Sequence, residues 1–186
     1  MITILYTSKH GATAKIARVI NTYLDHTCTL MNLDELDMAV LEKTDTIVLG
    51  VPVYYGALDP KMVDFIKKNQ GLLIKKHYSI YITALFHTEF MSYITKEFDY
   101  SILKNVTTMA GLGGAIYYPD LNIQEKMVLA VMNKNRPVIP KEHHVNIFEN
   151  FDNHEIELFS QKIKRINPNQ RLQFHWWKRR RRWMGT

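Results

Sequence analysis

The sequence predicts an α/β three-layer sandwich built on a five-stranded parallel sheet, in the strand order 2-1-3-4-5. Two observations carry this prediction. Residues 1–5 (MITIL), 44–51 (TDTIVLGV) and 77–85 (HYSIYITAL) are short, mostly apolar runs rich in β-branched or aromatic residues, the pattern of strands buried on both faces. Stretches with apolar residues at helical spacing separate such runs, as crossovers between parallel strands require.

Residues 1–5 form the first strand. Residues 14–24 follow as an amphipathic helix with Ile16, Ala17, Val19, Ile20, Tyr23 and Leu24 on one face. Residues 27–33 are the second strand. Residues 34–43 are a short helical or irregular crossover carrying Leu36, Met38, Val40 and Leu41. The third strand, 44–51, is the clearest, and 52–57 (PVYYGA) reads as a loop. Asp59 and Pro60 then open a helix as N-cap and first-turn residue, with Met62, Phe65 and Ile66 on its inner face. Residues 77–85 are the fourth strand, 88–100 a helix, and 106–114 a fifth strand that runs into glycines. A helical segment at 123–133 is inserted after it, and 134–152 is irregular around Pro137 and Pro140. A last helix spans 152–166, capped by Asp152 or Asn153. The expected domain is therefore 1–166, with an insert at about 117–150 and a distinct tail at 167–186.

At 186 residues the chain is long enough for one domain with a substantial core. No run approaches the roughly 18 apolar residues of a membrane span, and Met1 leads straight into a strand without a secretory pattern. The single cysteine, Cys28, excludes an intramolecular disulfide and a multi-cysteine metal site. In a buried strand it is a small apolar filler. These features point to a reducing, cytoplasmic setting. Residues 171–186 hold six of the 24 basic residues and no acid, so the remaining residues carry 18 charges of each sign. The body is neutral and the tail supplies the net charge.

Residues 6–13 (YTSKHGAT) join the first strand to the first helix with hydroxyls, one glycine and no acid. A strand, a tight polar turn and a helix start make an anion site, because the unpaired N–H groups of the first helical turn and the helix dipole favour negative charge. Gly11 lets the backbone come close or take positive φ, and Ser8 and Thr13 add hydroxyl donors. The stretch is neither the three-glycine dinucleotide fingerprint nor a P-loop. The plainer alternative is a helix cap in which Ser8 or Thr13 satisfies backbone donors. In the predicted strand order this loop and the 52–57 loop both leave the carboxyl ends of strands 1 and 3, where the crevice of such sheets lies.

The loop resembles the phosphate loop of flavodoxins, Ser/Thr-x-Thr-Gly-x-Thr, with Ser8, Gly11 and Thr13 in register and His10 in place of the middle threonine. The resemblance implies a flavodoxin-like fold over residues 1–166 and FMN as cofactor. Thr7, Ser8, Lys9, His10, Gly11, Ala12 and Thr13 would then surround the phosphate. Pro52, Val53, Tyr54, Tyr55 and Gly56 would flank the ring, with Tyr54 or Tyr55 stacked on it and Gly56 admitting a peptide group to its N5 edge. Ala84, Leu85, Phe86 and His87 would close the other side. Loop-to-core packing is the alternative for either tyrosine and for Phe86, and hydrogen bonding within the loop for His87. The flavin carries the chemistry; His87 and Tyr118 are the only side chains kept as candidates for a catalytic role, and no metal site is expected.

Within that superfamily the chain is most similar to the menaquinone-dependent protoporphyrinogen oxidase group and its flavodoxin-domain relatives. The matching segments are residues 7–13 followed by Lys15, Ile16 and Ala17, residues 49–56 (LGVPVYYG), and residues 110–119 (AGLGGAIYYP). This resemblance implies oxidation of a tetrapyrrole such as protoporphyrinogen IX, or a similar reductant, with electrons delivered to a membrane quinone. Two features of the residues agree. Small carrier flavodoxins are usually strongly acidic, for docking on basic partners, whereas this chain has a net charge of +6. The insert is also far longer than a strand-to-helix link needs. Its Tyr117, Tyr118, Met127 and Met132 would form an apolar lip over the flavin or touch lipid, or else pack an extra helix on the sheet.

The tail combines Arg171, Lys178, Arg179, Arg180, Arg181 and Arg182 with all three tryptophans. Clustered bases and tryptophan favour an anionic membrane surface along residues 171–183, which would place the protein at the inner face of the cell membrane. Nucleic acid is the rival partner, and a solvated end without a partner is the plain alternative. Three functions follow: an FMN-dependent oxidoreductase passing electrons from a reduced substrate to a quinone or similar acceptor; an electron-carrier flavodoxin that docks on redox proteins; and a non-redox relative that binds membrane or nucleic acid through its tail.

Overall fold

The computed structural model describes residues 1–137 and 146–166, and the parallel sheet required by the apolar runs lies at its centre. In chain order the elements are β1 (Ile2–Tyr6), α1 (Ala12–Tyr23), β2 (Cys28–Asn32), α2 (Met38–Lys43), β3 (Thr46–Tyr54), β4 (Ala57–Leu58), α3 (Pro60–Lys68) and α4 (Gln70–Leu73). They continue with β5 (His77–Thr83), α5 (Phe90–Glu97), α6 (Tyr100–Leu103), β6 (Val106–Gly111), β7 (Gly113–Tyr117), α7 (Ile123–Asn135), β8 (Ile147–Phe151) and α8 (Asn153–Ile166).

Five parallel strands lie in the order β2-β1-β3-β5-β6. The numbering departs from the expected 2-1-3-4-5 because a short strand intervenes. The stretch expected as a loop at 52–57 instead prolongs β3 to Tyr54 and folds back as β4, which pairs Val53 with Leu58 and Tyr54 with Ala57. Ile4 stands between Leu30 and Val48, and Leu49 opposite Ile80. Successive side chains go to opposite faces. Leu5, Ile47, Leu49 and Ile80 therefore join Met62, Ile66 and Ile94 on one side of the sheet. Ile4, Val48 and Tyr81 join Ile16, Ile20, Phe159 and Ile163 on the other. Each such side chain, fully buried, contributes roughly 1.5–3 kcal/mol.

The fifth parallel strand stops at Gly111, short of the expected 114. Leu112 still donates its amide to the Ile82 carbonyl at 2.9 Å, and Gly113 then turns with φ 92°. A Cβ on Gly113 would lie 2.1 Å from the Asn150 carbonyl oxygen, and one on Gly114 2.6 Å from the Ala84 carbonyl carbon. The glycines thus let a second, antiparallel sheet, β7 with β8, pass against the end of β5. The stretch at 134–152, expected to be irregular, contains the strand β8. The helix expected at 88–100 is α5, which stops at Glu97, and a further short helix, α6, begins at Tyr100, with the Asp99 carboxylate accepting from the Ser101 amide at 2.9 Å. Asp152 is the cap of α8, accepting from the Glu155 amide at 3.0 Å.

Cys28 is half-buried, and burial pushes its thiol up to about 11, the condition of an unreactive cysteine. Among the described residues no helix is long and apolar enough to cross a membrane. The tail, with the membrane and nucleic-acid partners expected of residues 171–183, lies outside the described residues.

One buried contact fixes the first helix to the sheet. The Tyr81 hydroxyl donates to the Thr13 carbonyl at 3.0 Å, and its ring fills the space where a Cβ on Gly50 would stand 2.3 Å from the hydroxyl oxygen. Tyr81→Phe keeps the ring and removes only that bond. It is expected to lower stability by about 1 kcal/mol and the thermal midpoint by about 2–4 °C. An unchanged midpoint in a thermal melt contradicts this anchoring role.

Candidate functional site

The sheet hands over to the first loop at Thr7, whose amide donates to the Gly50 carbonyl at 3.4 Å. Thr7 is buried, and its Oγ1 has no partner among the described residues. Gly11 sits at φ 86° as the N-cap of α1, without a side-chain capping bond, and the first turn of α1 holds no acid. Among the described residues, no carbonyl accepts from the amides of Ser8, His10, Gly11, Ala12 or Thr13. Ser8 Oγ accepts from the Ala14 amide at a long 3.3 Å, which is all that remains of the plain helix-cap alternative. The result is a cradle of unpaired N–H groups at a helix N-terminus, with a spare buried hydroxyl beneath it.

The β3–β4 hairpin supplies the facing wall. Its two central residues, Tyr55 at φ 55° and Gly56 at φ 81°, are both left-handed, the turn whose twist matches paired strands. The two tyrosines divide their work. The Tyr54 hydroxyl accepts from the Lys9 amide at 2.8 Å, tying the hairpin to the first loop, and burial pushes its phenol upward. Tyr55 stands at the tip, 64% exposed, and is the ring free to cover a ligand.

Between these loops lies a cavity of about 690 Å³. Ser8, His10, Ala12 and Thr13 line one end, Pro52, Val53, Tyr54, Tyr55 and Gly56 a second wall, and Ala84, Leu85 and Phe86 a third. Thr7, Lys9 and Gly11 shape the loop but do not line the cavity. Two expected side chains lie elsewhere. His87 turns to the residue that caps α8, with Nε2 3.6 Å from Asp152 Oδ2. Tyr118 is 44% exposed under Lys126, whose Nζ lies 4.9 Å from the ring centre. Neither reaches the cavity.

The insert closes the remaining side, which sequence reasoning saw only in part. Tyr117, Met127 and Met132, expected as a lip, do line the cavity. Gly114 and Ile116 of β7, and Glu125, Val128 and Val131 of α7, were missed. Tyr117 donates to Glu149 Oε1 at 2.7 Å, and Lys15 Nζ lies 2.7 Å from both Glu149 oxygens. The Lys15 and Tyr117 hydrogen bonds hold the Glu149 carboxyl below the usual range. Arg136 stacks 3.7 Å over the Phe86 ring and pairs with Glu89 at 2.7 Å. Among the described residues no side-chain cluster has the makeup of a metal site.

Glu125 makes the longest-range contact with the first loop. It closes a capping box at the start of α7, exchanging hydrogen bonds of 2.9 Å with Asn122. Its Oε1 also accepts from Lys9 Nζ at 2.7 Å and from His10 Nε2 at 2.9 Å. The Asn122-x-x-Glu125 spacing was the available sequence signal, though it points to a helix start and not to the partners. Burial opposes the charge, but the hydrogen bonds from Lys9, the Asn122 amide and His10 outweigh it and hold the carboxyl at about 2.

The flavodoxin domain model matches residues 3–137, a span that includes both loops and α7. The chain belongs to that family. A flavodoxin of Clostridium saccharobutylicum is 32% identical over 72 residues, 37% of this chain and 45% of its own. The rubredoxin oxygen:oxidoreductase of Desulfovibrio gigas is 16% identical with a TM-score of 0.54, over 88% of this flavodoxin domain chain and 35% of its own. At that identity it shows a shared fold. A flavodoxin of Fusobacterium nucleatum solved bound to flavin mononucleotide is 17% identical, with a TM-score of 0.43, over 60% of this chain and 69% of its own. The chain thus spans less than half the length of the first two.

An acid titration tests the Glu125 contact. Its carboxyl lies lower in the folded state than the roughly 4.3 of an unfolded glutamate, so its stabilisation is present above that value and is lost as pH falls through about 2. In urea unfolding, the stability gap between the wild type and Glu125→Gln is expected to be widest above about pH 5 and to narrow toward acid. A gap that stays constant as the pH falls contradicts the assignment.

Proposed function

We propose that this flavodoxin domain binds FMN in the cavity and works as a redox flavoprotein. One juxtaposition carries the reading: a cradle of unpaired amides opens into an apolar cavity edged by Tyr55, at the carboxyl ends of β1 and β3. The residues present fit the group. A phosphate needs donors without a competing acid in the helix turn, and the first turn of α1 supplies them. A flat polarisable ring needs apolar walls, and a volume of about 690 Å³ lies within the range of cofactor sites. When bound, FMN supplies a ring that takes up and releases electrons. The chain's own part is to hold the phosphate at Ser8 and Thr13, to cover the ring with Tyr55, and to exclude water with the apolar face of α7.

The finer reading is an oxidoreductase that takes electrons from a reduced substrate, with protoporphyrinogen IX the candidate, and gives them to a quinone. It is supported by the resemblance of residues 110–119 and by the apolar Met127, Val128 and Val131, which line the cavity while remaining open to solvent. An electron carrier without a small substrate is the second reading, supported by the family and by the clostridial flavodoxin relative.

Titration with FMN is expected to give a yellow protein with a measurable heat of binding. Tyr55→Ala is expected to weaken FMN about fivefold through loss of ring contact. A colourless protein with no calorimetric signal overturns the cofactor assignment, and an unchanged affinity in Tyr55→Ala overturns the role of Tyr55. Incubating the FMN-loaded domain with protoporphyrinogen IX and menaquinone separates the two finer readings: catalytic turnover supports the oxidoreductase, and its absence leaves the carrier.

A further inference from the structure

The FMN site gives no role to the carboxylate on its own wall. Glu125 is 8% exposed and lines the same cavity as Ser8 and Thr13. A phosphate monoester brings up to two negative charges at neutral pH. A carboxylate nearby disfavours such a ligand unless a cation neutralises it. The neutralising group here, Lys9, comes from the phosphate loop itself. Lys9 Nζ and His10 Nε2 both meet Oε1, at 2.7 and 2.9 Å. The carboxylate does not swing freely, because Oε2 accepts from the Asn122 amide at 2.9 Å and so is tied to the first turn of α7.

We propose that Glu125 is a positioning residue that sets how strongly the site distinguishes a phosphorylated flavin from an unphosphorylated one. It engages the loop's lysine and histidine, so that the phosphate is left to neutral amides and hydroxyls. The inference rests on the FMN reading above. It makes a distinction that a merely structural role does not. If Glu125 only latched α7 over the cavity, its loss would loosen the wall around the ring, and FMN and riboflavin would weaken together. If it sets the charge at the cradle, only the ligand with a phosphate responds.

The test is calorimetric titration of the full chain with FMN and with riboflavin, for the wild type, Glu125→Gln and Lys9→Met. Glu125→Gln frees Lys9 for the phosphate and is expected to raise the FMN-to-riboflavin affinity ratio about tenfold at low salt. Most of that gain is expected to vanish at about 0.5 M salt, because the Lys9 side chain is 49% exposed. Lys9→Met leaves the carboxylate uncompensated and is expected to lower the ratio to a similar degree. Its half-exposed side chain makes it the folding-tolerant arm should Glu125→Gln fail to fold. A ratio that moves less than about twofold in the variants that fold, or parallel weakening of both flavins, overturns the proposal while the FMN assignment stands. A wild type that binds neither flavin overturns both.

Discussion

The parallel pairing of β1 with β3 is the constraint on which the site depends. The two strands run in register from Ile2 opposite Thr46 to Tyr6 opposite Gly50. Beyond that point the Thr7 amide still reaches the Gly50 carbonyl, and then the chains part. Parallel strands must exit at the same edge, so the loop before α1 and the β3–β4 hairpin are forced into one crevice. The bond from the Lys9 amide to the Tyr54 hydroxyl spans that crevice and sets its width. Tyr81, buried one strand away, anchors the start of α1 from beneath.

Charge organises the other side. The insert meets the first crossover twice: Glu125 on α7 accepts from Lys9 and His10 of the loop before α1, and Glu149 on β8 pairs with Lys15 of α1. These pairs close the insert over the cavity. Lys9 and Lys15 are each roughly half exposed, so water screens the lysine side of both pairs. Their effect is to place α7 and β7 opposite Tyr55. The walls between remain apolar, supplied by Ile116, Met127, Val128 and Met132.

Much of this could be read from residue order. The apolar runs at 1–5, 44–51 and 77–85 became the central strands, because burial on both faces leaves few places for polar residues. Asp59 and Pro60 marked the start of α3, since capping is a local interaction, and the Asp59 carboxylate accepts from the Lys61 amide at 2.8 Å. The hydroxyl-and-glycine turn before α1 was legible for the same reason. The end of β6 was not. Its glycines continue a strand-like pattern, and only their close approach to β8 and to the Ala84 backbone ends the parallel sheet there.

Local pattern by itself therefore determined the sheet, its crossover helices and a hydroxyl-and-glycine turn at a helix start, because periodicity and capping act over a few residues. The tertiary structure decided which side chains meet. Tyr54 was drawn into the loop while Tyr55 stayed free, His87 was turned away to Asp152, and Glu125 reached Lys9 across 116 positions of sequence. The order of residues carries no trace of such pairings until packing brings distant elements within hydrogen-bonding distance.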